Sequence, residues 1–290
     1  MTPFILPRGD ARLRVFVAGQ GSPVVFQHGL GGDEAQVRGV FPEAPACRRI
    51  TAECRAQGGS TAGSARPFSI ALFTEDVLAA ADAVSPGPFI AGGLSMGAAI
   101  ALRLAIRHPR RVRALILARP AWIAAAAPET MGAYAEVADW LRRLPPAEAL
   151  AAFRASATAA RLARAAPDNL LSLSGFFDRP QPALTAALLH DIAQDGPGVT
   201  LSEIAAISVP TLVIGHGVDI AHPLAYAQRL AGLIPGATLA EITPKAVDTA
   251  RHRAELRAAV AAFLGHVLPV QDPPAQDPPA PHPPVSESSS

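Results

Sequence analysis

Residues 93–97 read Gly93-Leu94-Ser95-Met96-Gly97, with the apolar run GPFIAGG leading in and the Ala-rich segment MGAAIALRLAIRHP leading out. A buried strand that passes straight into a helix through G-x-S-x-G turns sharply at the serine, and glycines are needed where neighbouring backbone crowds that turn. The serine is then held in a strained conformation with its hydroxyl exposed at a helix N-terminus. Free N–H groups and the helix dipole at that end favour a developing oxyanion. The chemistry this arrangement suits is nucleophilic attack on an acyl carbonyl.

Two further stretches bear on the same chemistry. VVFQHGLGGD, residues 24–33, ends a β-type run in His28-Gly29 and a following glycine pair, and ECRAQGGS occupies 53–60. With these motifs the chain resembles the α/β-hydrolase fold family, from about residue 12 to residue 264. The resemblance implies that His28-Gly29-Leu30-Gly31-Gly32 is the oxyanion loop, with the Leu30 N–H as one donor and the Met96 N–H as the other. It makes His28 a structural member of that loop rather than a base, with Gly29, Gly93 and Gly97 supporting the backbone. ECRAQGGS is similar to the family's D-x-R-G-H-G-x-S strand exit, with Ala56 and Gln57 replacing Gly and His. A serine at the elbow argues against the aspartate-dependent members, those resembling haloalkane dehalogenases and epoxide hydrolases. Esterases, lactonases, thioesterases, carbon–carbon bond hydrolases and cofactor-free haloperoxidase-like members stay open.

The resemblance also implies an acid and a base. PTLVIGHGVDIAHP, residues 210–223, carries Asp219 a few residues beyond a strand, where the family places its triad acid, and the order Ser, Asp, His fits. The plainer role for Asp219 is an Asx-turn that caps the next helix. In the family a Gly-His pair follows the last strand directly. That slot falls near 245–247, where this chain reads TPKAVD and has no Gly-His. The nearest histidine downstream, His252, is therefore expected as the base, brought over Ser95 by a rearranged loop. Lys245, the only lysine in the chain, is an alternative that would need strong desolvation to lower its pKa. His190 is another. His216 and His222 flank Asp219 but share its loop, where facing the serine is awkward, so neither is expected as base. A missing base would leave a non-catalytic or impaired ligand-binding scaffold, although a strained, exposed serine is costly to keep idle.

The elements that must position these groups follow from hydrophobic periodicity. LRVFVAGQGSPVVFQ predicts two strands, 13–18 and 23–27, joined as a hairpin across a Gly-rich turn. CRRITAEC, GPFIAGG, VRALILA, VPTLVIG and ATLAEIT predict strands; FTEDVLAAADAV, MGAAIALRLAIRHP, PLAYAQRLAGLIPG and a last segment from about 249 to 264 predict helices. Strand alternating with helix implies a parallel sheet covered on both faces. Residues 121–204 instead show helical periodicity with almost no β-type run, and carry Trp122, Tyr134, Trp140, Phe153, Phe176 and Phe177. These aromatics are expected chiefly as helix packing, with a lid over a pocket as their second role.

Bulk properties set outer bounds. Half of the 290 residues are hydrophobic and 17% are charged, as in a core-rich globular chain. A net charge of +1 gives no electrostatic case for nucleic acid or an anionic membrane surface. The 24 arginines against one lysine read as compositional bias. The start MTPFILPRGDARLRVF lacks a signal-peptide pattern, and no apolar run spans a membrane without a charge or proline, so a reducing, cytoplasmic setting is expected. Cys47 and Cys54 lie on one strand and its exit, and a bridge between them is not expected. Two QDPPA repeats and a serine tail predict disorder over 268–290.

The expectation as a whole is an α/β chain of the α/β-hydrolase fold. Residues 1–120 and 205–267 form the core, 121–204 a helical cap and 268–290 a tail. Its expected activity is that of a carboxylesterase-like serine hydrolase. It would act through Ser95, His252 and Asp219 on a small, largely apolar ester or lactone, with no metal or organic cofactor implied.

Overall fold

The computed structural model describes residues 3–43 and 46–268; the Pro- and Ser-rich segment expected as a tail lies, from 269 onward, outside the described residues. Eight strands form one sheet: β1 (Phe4–Arg8), β2 (Ala11–Gly19), β3 (Ser22–Gln27), β4 (Cys47–Ala52), β5 (Phe89–Leu94), β6 (Val112–Ala118), β7 (Thr211–Gly215) and β8 (Thr238–Glu241). Their order is β1-β2-β4-β3-β5-β6-β7-β8. β1/β2 and β2/β4 are antiparallel, and every later pairing is parallel.

The expected hairpin between β2 and β3 does not form. β2 pairs with β1 through the tight Gly9-Asp10 turn and with β4 on its other side, so β4 separates it from β3. The Gly-rich turn carries the chain past the start of β4, where Ser22 N–H donates to Ala46 O at 3.0 Å. β1, with Pro7 in it, sits at the sheet edge, the place where a missing strand N–H is tolerated.

Side chains alternate across the inner strands. Val25, Ala91, Leu115 and Leu117 point to one core, with helices α2 (Ile70–Val84), α3 (Met96–Arg107) and α10 (Leu224–Leu233). Val24, Phe26, Ile90 and Ile116 point to the other, with α1 (Glu34–Arg38) and α11 (Thr249–Val267). Burial on both faces explains why these strands read as continuous apolar runs rather than alternating ones. Among the described residues no helix is long and apolar enough to cross a membrane.

Between β6 and β7 the described chain is helical: α4 (Gly132–Arg143), α5 (Pro146–Arg154), α6 (Ala157–Ala165), α7 (Pro167–Ser174), α8 (Pro182–Gln194) and α9 (Leu201–Ala205). α4 to α8 enclose a small core of their own around Val137, Phe153, Leu162, Phe177 and Leu189, against which Leu30 and Ile220 of the sheet's loops pack. Phe153 and Phe177 stack at 5.6 Å between ring centroids, so these aromatics hold helices together. Trp122 belongs to the main core instead.

Candidate active site

β3 and β5 are neighbours in the sheet, yet β3 leads to α1 on one face and β5 leads to α3 on the other. That divergence opens a crevice at the carboxyl ends of the strands, where ligands of open α/β sheets bind. Ser95 stands in it. Its backbone has φ 55 and ψ −111, a conformation few L-residues adopt. The turn is locked by Ser95 N–H donating to Ala118 O at 2.9 Å. A Cβ on Gly93 would meet Gly97 C at 2.5 Å, and one on Gly97 would meet Gln27 C at 2.7 Å and His28 O at 2.8 Å. The elbow thus crosses the end of β3 too closely for any side chain at either position.

The loop after β3 is braced through three of its amides. Gln36 Oε1 accepts from Gly29 N–H at 2.7 Å, Gln57 Oε1 accepts from Gly31 N–H at 2.7 Å, and Gly32 N–H donates to Gly29 O at 2.8 Å. Gln57, one of the two residues that depart from the family pattern, therefore fastens this loop. The Leu30 N–H has no hydrogen-bond acceptor among the described residues, and neither has the Met96 N–H at the first turn of α3. His28 is fully buried; its Nδ1–H donates to Gly29 O at 2.8 Å and its Nε2 accepts from Cys54 N–H at 3.0 Å. Both ring nitrogens are committed to backbone, and burial pushes its pKa down, as suits a neutral structural ring.

The imidazole that meets Ser95 is that of His222, not His252. His222 Nε2 lies 2.8 Å from Ser95 Oγ, and His222 Nδ1 lies 3.1 and 3.0 Å from the two oxygens of Asp219. With Nδ1–H donating to the carboxylate, Nε2 is the acceptor for the serine hydroxyl. The loop after β7 makes this possible by folding back on itself. Val218 takes φ 57, Asp219 Oδ1 accepts the His222 N–H at 2.9 Å, and Asn169 Oδ1 on α7 accepts the N–H groups of Ile220 and Ala221 at 2.9 and 3.1 Å. Asp219 thus makes the Asx-type turn and, with the same carboxylate, the bond to the ring. A histidine three residues after the acid and just before Pro223 was the available signal in the sequence.

Arg119, at φ 49 just beyond β6, reaches the same carboxylate: its Nη2 donates to Asp219 Oδ2 at 2.7 Å. Its 3.3 Å approach to His222 Nδ1 brings two donors together, so it reflects the shared carboxylate rather than a bond. Burial opposes ionisation of Asp219, but His222 and Arg119 outweigh it by charge and hydrogen bonding, and hold the carboxyl well below the usual carboxylate range.

His252 lies on the buried stripe of α11 with Leu256, Val260 and Leu264, at four-residue spacing. That periodicity turns it toward the sheet. Its Nδ1–H donates to Thr243 O at 2.9 Å, and its ring meets His216 edge-on at 4.8 Å. Burial, helped by the charges of Arg119, His216 and Lys245 and opposed by the Thr243 bond, lowers its pKa from 6.5 to about 4. A folded-state pKa below the unfolded one means the unfolded chain binds the proton first as pH falls. Stability from this residue is therefore complete above about pH 6.5 and is lost towards pH 4. His28 and His216, also lowered by burial first, act in the same direction. Urea unfolding at pH 7.5 and 4.5 should show a smaller pH-dependent loss for His252→Gln than for the wild type, by on the order of 2–3 kcal/mol. Equal losses would show that the ring titrates normally in the fold. His190 pairs with Arg142, whose Nη1–H donates to its Nδ1 at 2.9 Å on the exposed side of the helical insertion. Lys245 lies 3.8 Å from Asp168.

Ser95 opens into a cavity of about 550 Å³, lined by the loop after β3, Tyr134, Phe176, His222 and His252. The space around the serine carries charge: Arg119, Arg179, Lys245 and Arg253 all face it, and no Asp or Glu is among its lining residues.

A family model described as alpha/beta hydrolase fold matches residues 22–252. The chain is similar to pyrrolizixenacetamide deacetylase of Xenorhabdus hominickii, 25% identical over 252 residues that cover 81% of this chain and 87% of that one. Among solved structures it is similar to the enol-lactonase from Burkholderia xenovorans LB400, with TM-score 0.67, 22% identity, and 91% and 98% of the two chains covered. It is also similar to a thermophilic esterase from Thermogutta terrifontis, with TM-score 0.72, 20% identity, and 93% and 100% covered. With an elbow serine at the sheet's divergence point and a family match across most of its length, the chain belongs to the alpha/beta hydrolase fold family.

Proposed function

We propose that the protein is a serine hydrolase whose triad is Ser95, His222 and Asp219, with His222 taking the place that the sequence suggested for His252. The observation that carries this reading is the continuous chain from Ser95 Oγ to His222 Nε2 at 2.8 Å and from His222 Nδ1 to Asp219 at 3.0 Å. In it Ser95 attacks an acyl carbonyl, His222 accepts the hydroxyl proton and hands it to the leaving group, and Asp219 fixes the tautomer and stabilises the imidazolium. The N–H groups of Leu30 and Met96 bind the oxyanion, and water, activated by the same imidazole, releases the acyl group from Ser95. Membership of the family, and a deacetylase, a lactonase and an esterase among the relatives, support hydrolysis as the reaction. Carboxylic ester and lactone cleavage is the class we assign, with the helices between β6 and β7 as a cap over the cavity.

The direct test is covalent labelling. A fluorophosphonate reagent should modify the wild-type protein at Ser95 and leave Ser95→Ala unlabelled, as read by intact mass and by mapping the modified peptide. Labelling that is absent in both, or equal in both, would sink the hydrolase reading.

A further inference from the structure

The cavity at Ser95 is more cationic than the chain that builds it. The whole sequence balances 25 basic against 24 acidic residues, yet the lining has four cationic side chains and no acidic one. They come from four separate places in the fold: Arg119 after β6, Arg179 between α7 and α8, Lys245 after β8, and Arg253 near the start of α11.

Two of the four are offset from behind the cavity wall. Arg119 lies 2.7 Å from Asp219, and Lys245 lies at a loose 3.8 Å from Asp168. Arg179 and Arg253 enter none of the ion pairs among the described residues. Arg179 is half-buried over the Phe176 ring, 5.0 Å from its centroid, and donates from Nη2 to Gly31 O in the loop beside Ser95. A guanidinium carries five donors, so most of its hydrogen-bonding capacity remains for a ligand. Holding a half-buried cation costs desolvation energy that the charge of Asp33 offsets only in part, and that cost is recovered when an anion docks.

The cations also act on one another. Burial first, then the charge of Arg119 and, more weakly, that of Arg253, push the Lys245 ammonium below its ordinary pKa, against the pull of Asp168 and Asp219. Like charges gathered around one cavity oppose folding, and a cleft of a single sign raises the local concentration of the opposite ion.

We propose that the substrate of the Ser95 site is an ester or lactone bearing a free carboxylate, which docks on Arg179, Lys245 and Arg253 while the acyl carbonyl meets the oxyanion donors. This deepens the hydrolase reading and rests on it for the reaction, though the anion site itself does not need turnover. It replaces the small, largely apolar substrate expected from the sequence.

Two measurements on the full-length protein test it. Calorimetric titration should show glutarate binding the wild type and the neutral diamide glutaramide failing to bind, with Arg253→Gln and Lys245→Gln each weakening glutarate. In kinetics, 4-nitrophenyl hydrogen glutarate should exceed neutral 4-nitrophenyl pentanoate in kcat/KM by roughly 10–100-fold, the range of one or two hydrogen bonds to a charged group. The advantage should shrink at least fivefold in Arg253→Gln, mainly through KM, return partly in Arg253→Lys, and decline with added salt. Glutarate binding no tighter than glutaramide, or equal kcat/KM for the two esters, overturns the carboxylate site. Selective glutarate binding with neither ester turned over upholds the site and overturns the hydrolase reading instead.

Discussion

His222→Ala is expected to lower kcat on an activated aryl ester by about three to four orders of magnitude, whereas His252→Gln stays within about tenfold of the wild type. Both histidines line the cavity at Ser95, so proximity alone does not separate them. Their hydrogen bonds do. His222 has one nitrogen on the serine and the other on a carboxylate; His252 has Nδ1 on the carbonyl of Thr243 and shares the buried stripe of its helix. A base needs an oriented tautomer and a counter-charge for the proton it accepts, and only the first ring has both. The comparison is made on kcat at saturating ester, with melting temperatures to confirm that each variant is folded. A loss in His252→Gln as large as that in His222→Ala would transfer the role back to the helix.

The base we propose differs from the one suggested by the sequence, whereas the rest of the candidate site could be read locally. The elbow depends on five consecutive residues and on two neighbouring runs whose periodicity is plain. The loop from His28 to Gly32 is equally local as a motif, although Gln57, 26 residues on, holds one of its amides. The proposed base, His222, depends on a loop whose shape is set from elsewhere. Val218 sits at positive φ, and the loop's amides are held by Asn169, some fifty residues away on α7. Arg119, a hundred residues away, grips the carboxylate. None of these contacts has a trace in the spacing of Asp219 and His222. In an extended loop two side chains three apart diverge; the Asx-type turn, with Asp219 accepting the His222 N–H, brings them together.

The strand pairing shows the same division. Every sheet segment inferred from periodicity is present, whereas the hairpin inferred between β2 and β3 was a statement about partners. A Gly-rich turn between two β-type runs fits either a hairpin or a step across an intervening strand. The choice falls to β4, which arrives some twenty residues later and takes the place between them. The edge strand β1 was missed because five residues with a proline carry little β-type signal.

Arg119 turns this geometry into a second large effect. Asp219→Asn is expected to lower kcat by about three to four orders of magnitude, because an amide can present its N–H₂ to the ring and favour the wrong tautomer. In this site the substitution does more. The carboxylate that offsets Arg119 is gone, and a guanidinium whose Nη2 lies 3.3 Å from His222 Nδ1 then opposes formation of the imidazolium. Removing that cation as well should recover part of the loss. The double variant Asp219→Asn with Arg119→Met is therefore expected to exceed Asp219→Asn alone by about tenfold or more in kcat, a non-additivity typical of residues in one charged network. Single-turnover acylation of the same ester is the measurement, since it isolates the step in which the imidazolium forms. If the double variant is no faster than Asp219→Asn, the arginine acts on the shape of the loop rather than through its charge. In that case Arg119→Met alone should lose activity as the carboxylate shifts away from the ring. If the charge account holds, Asp219 in Arg119→Met still faces His222 through the bonds to its Nδ1–H and backbone N–H, and that variant keeps most of its rate.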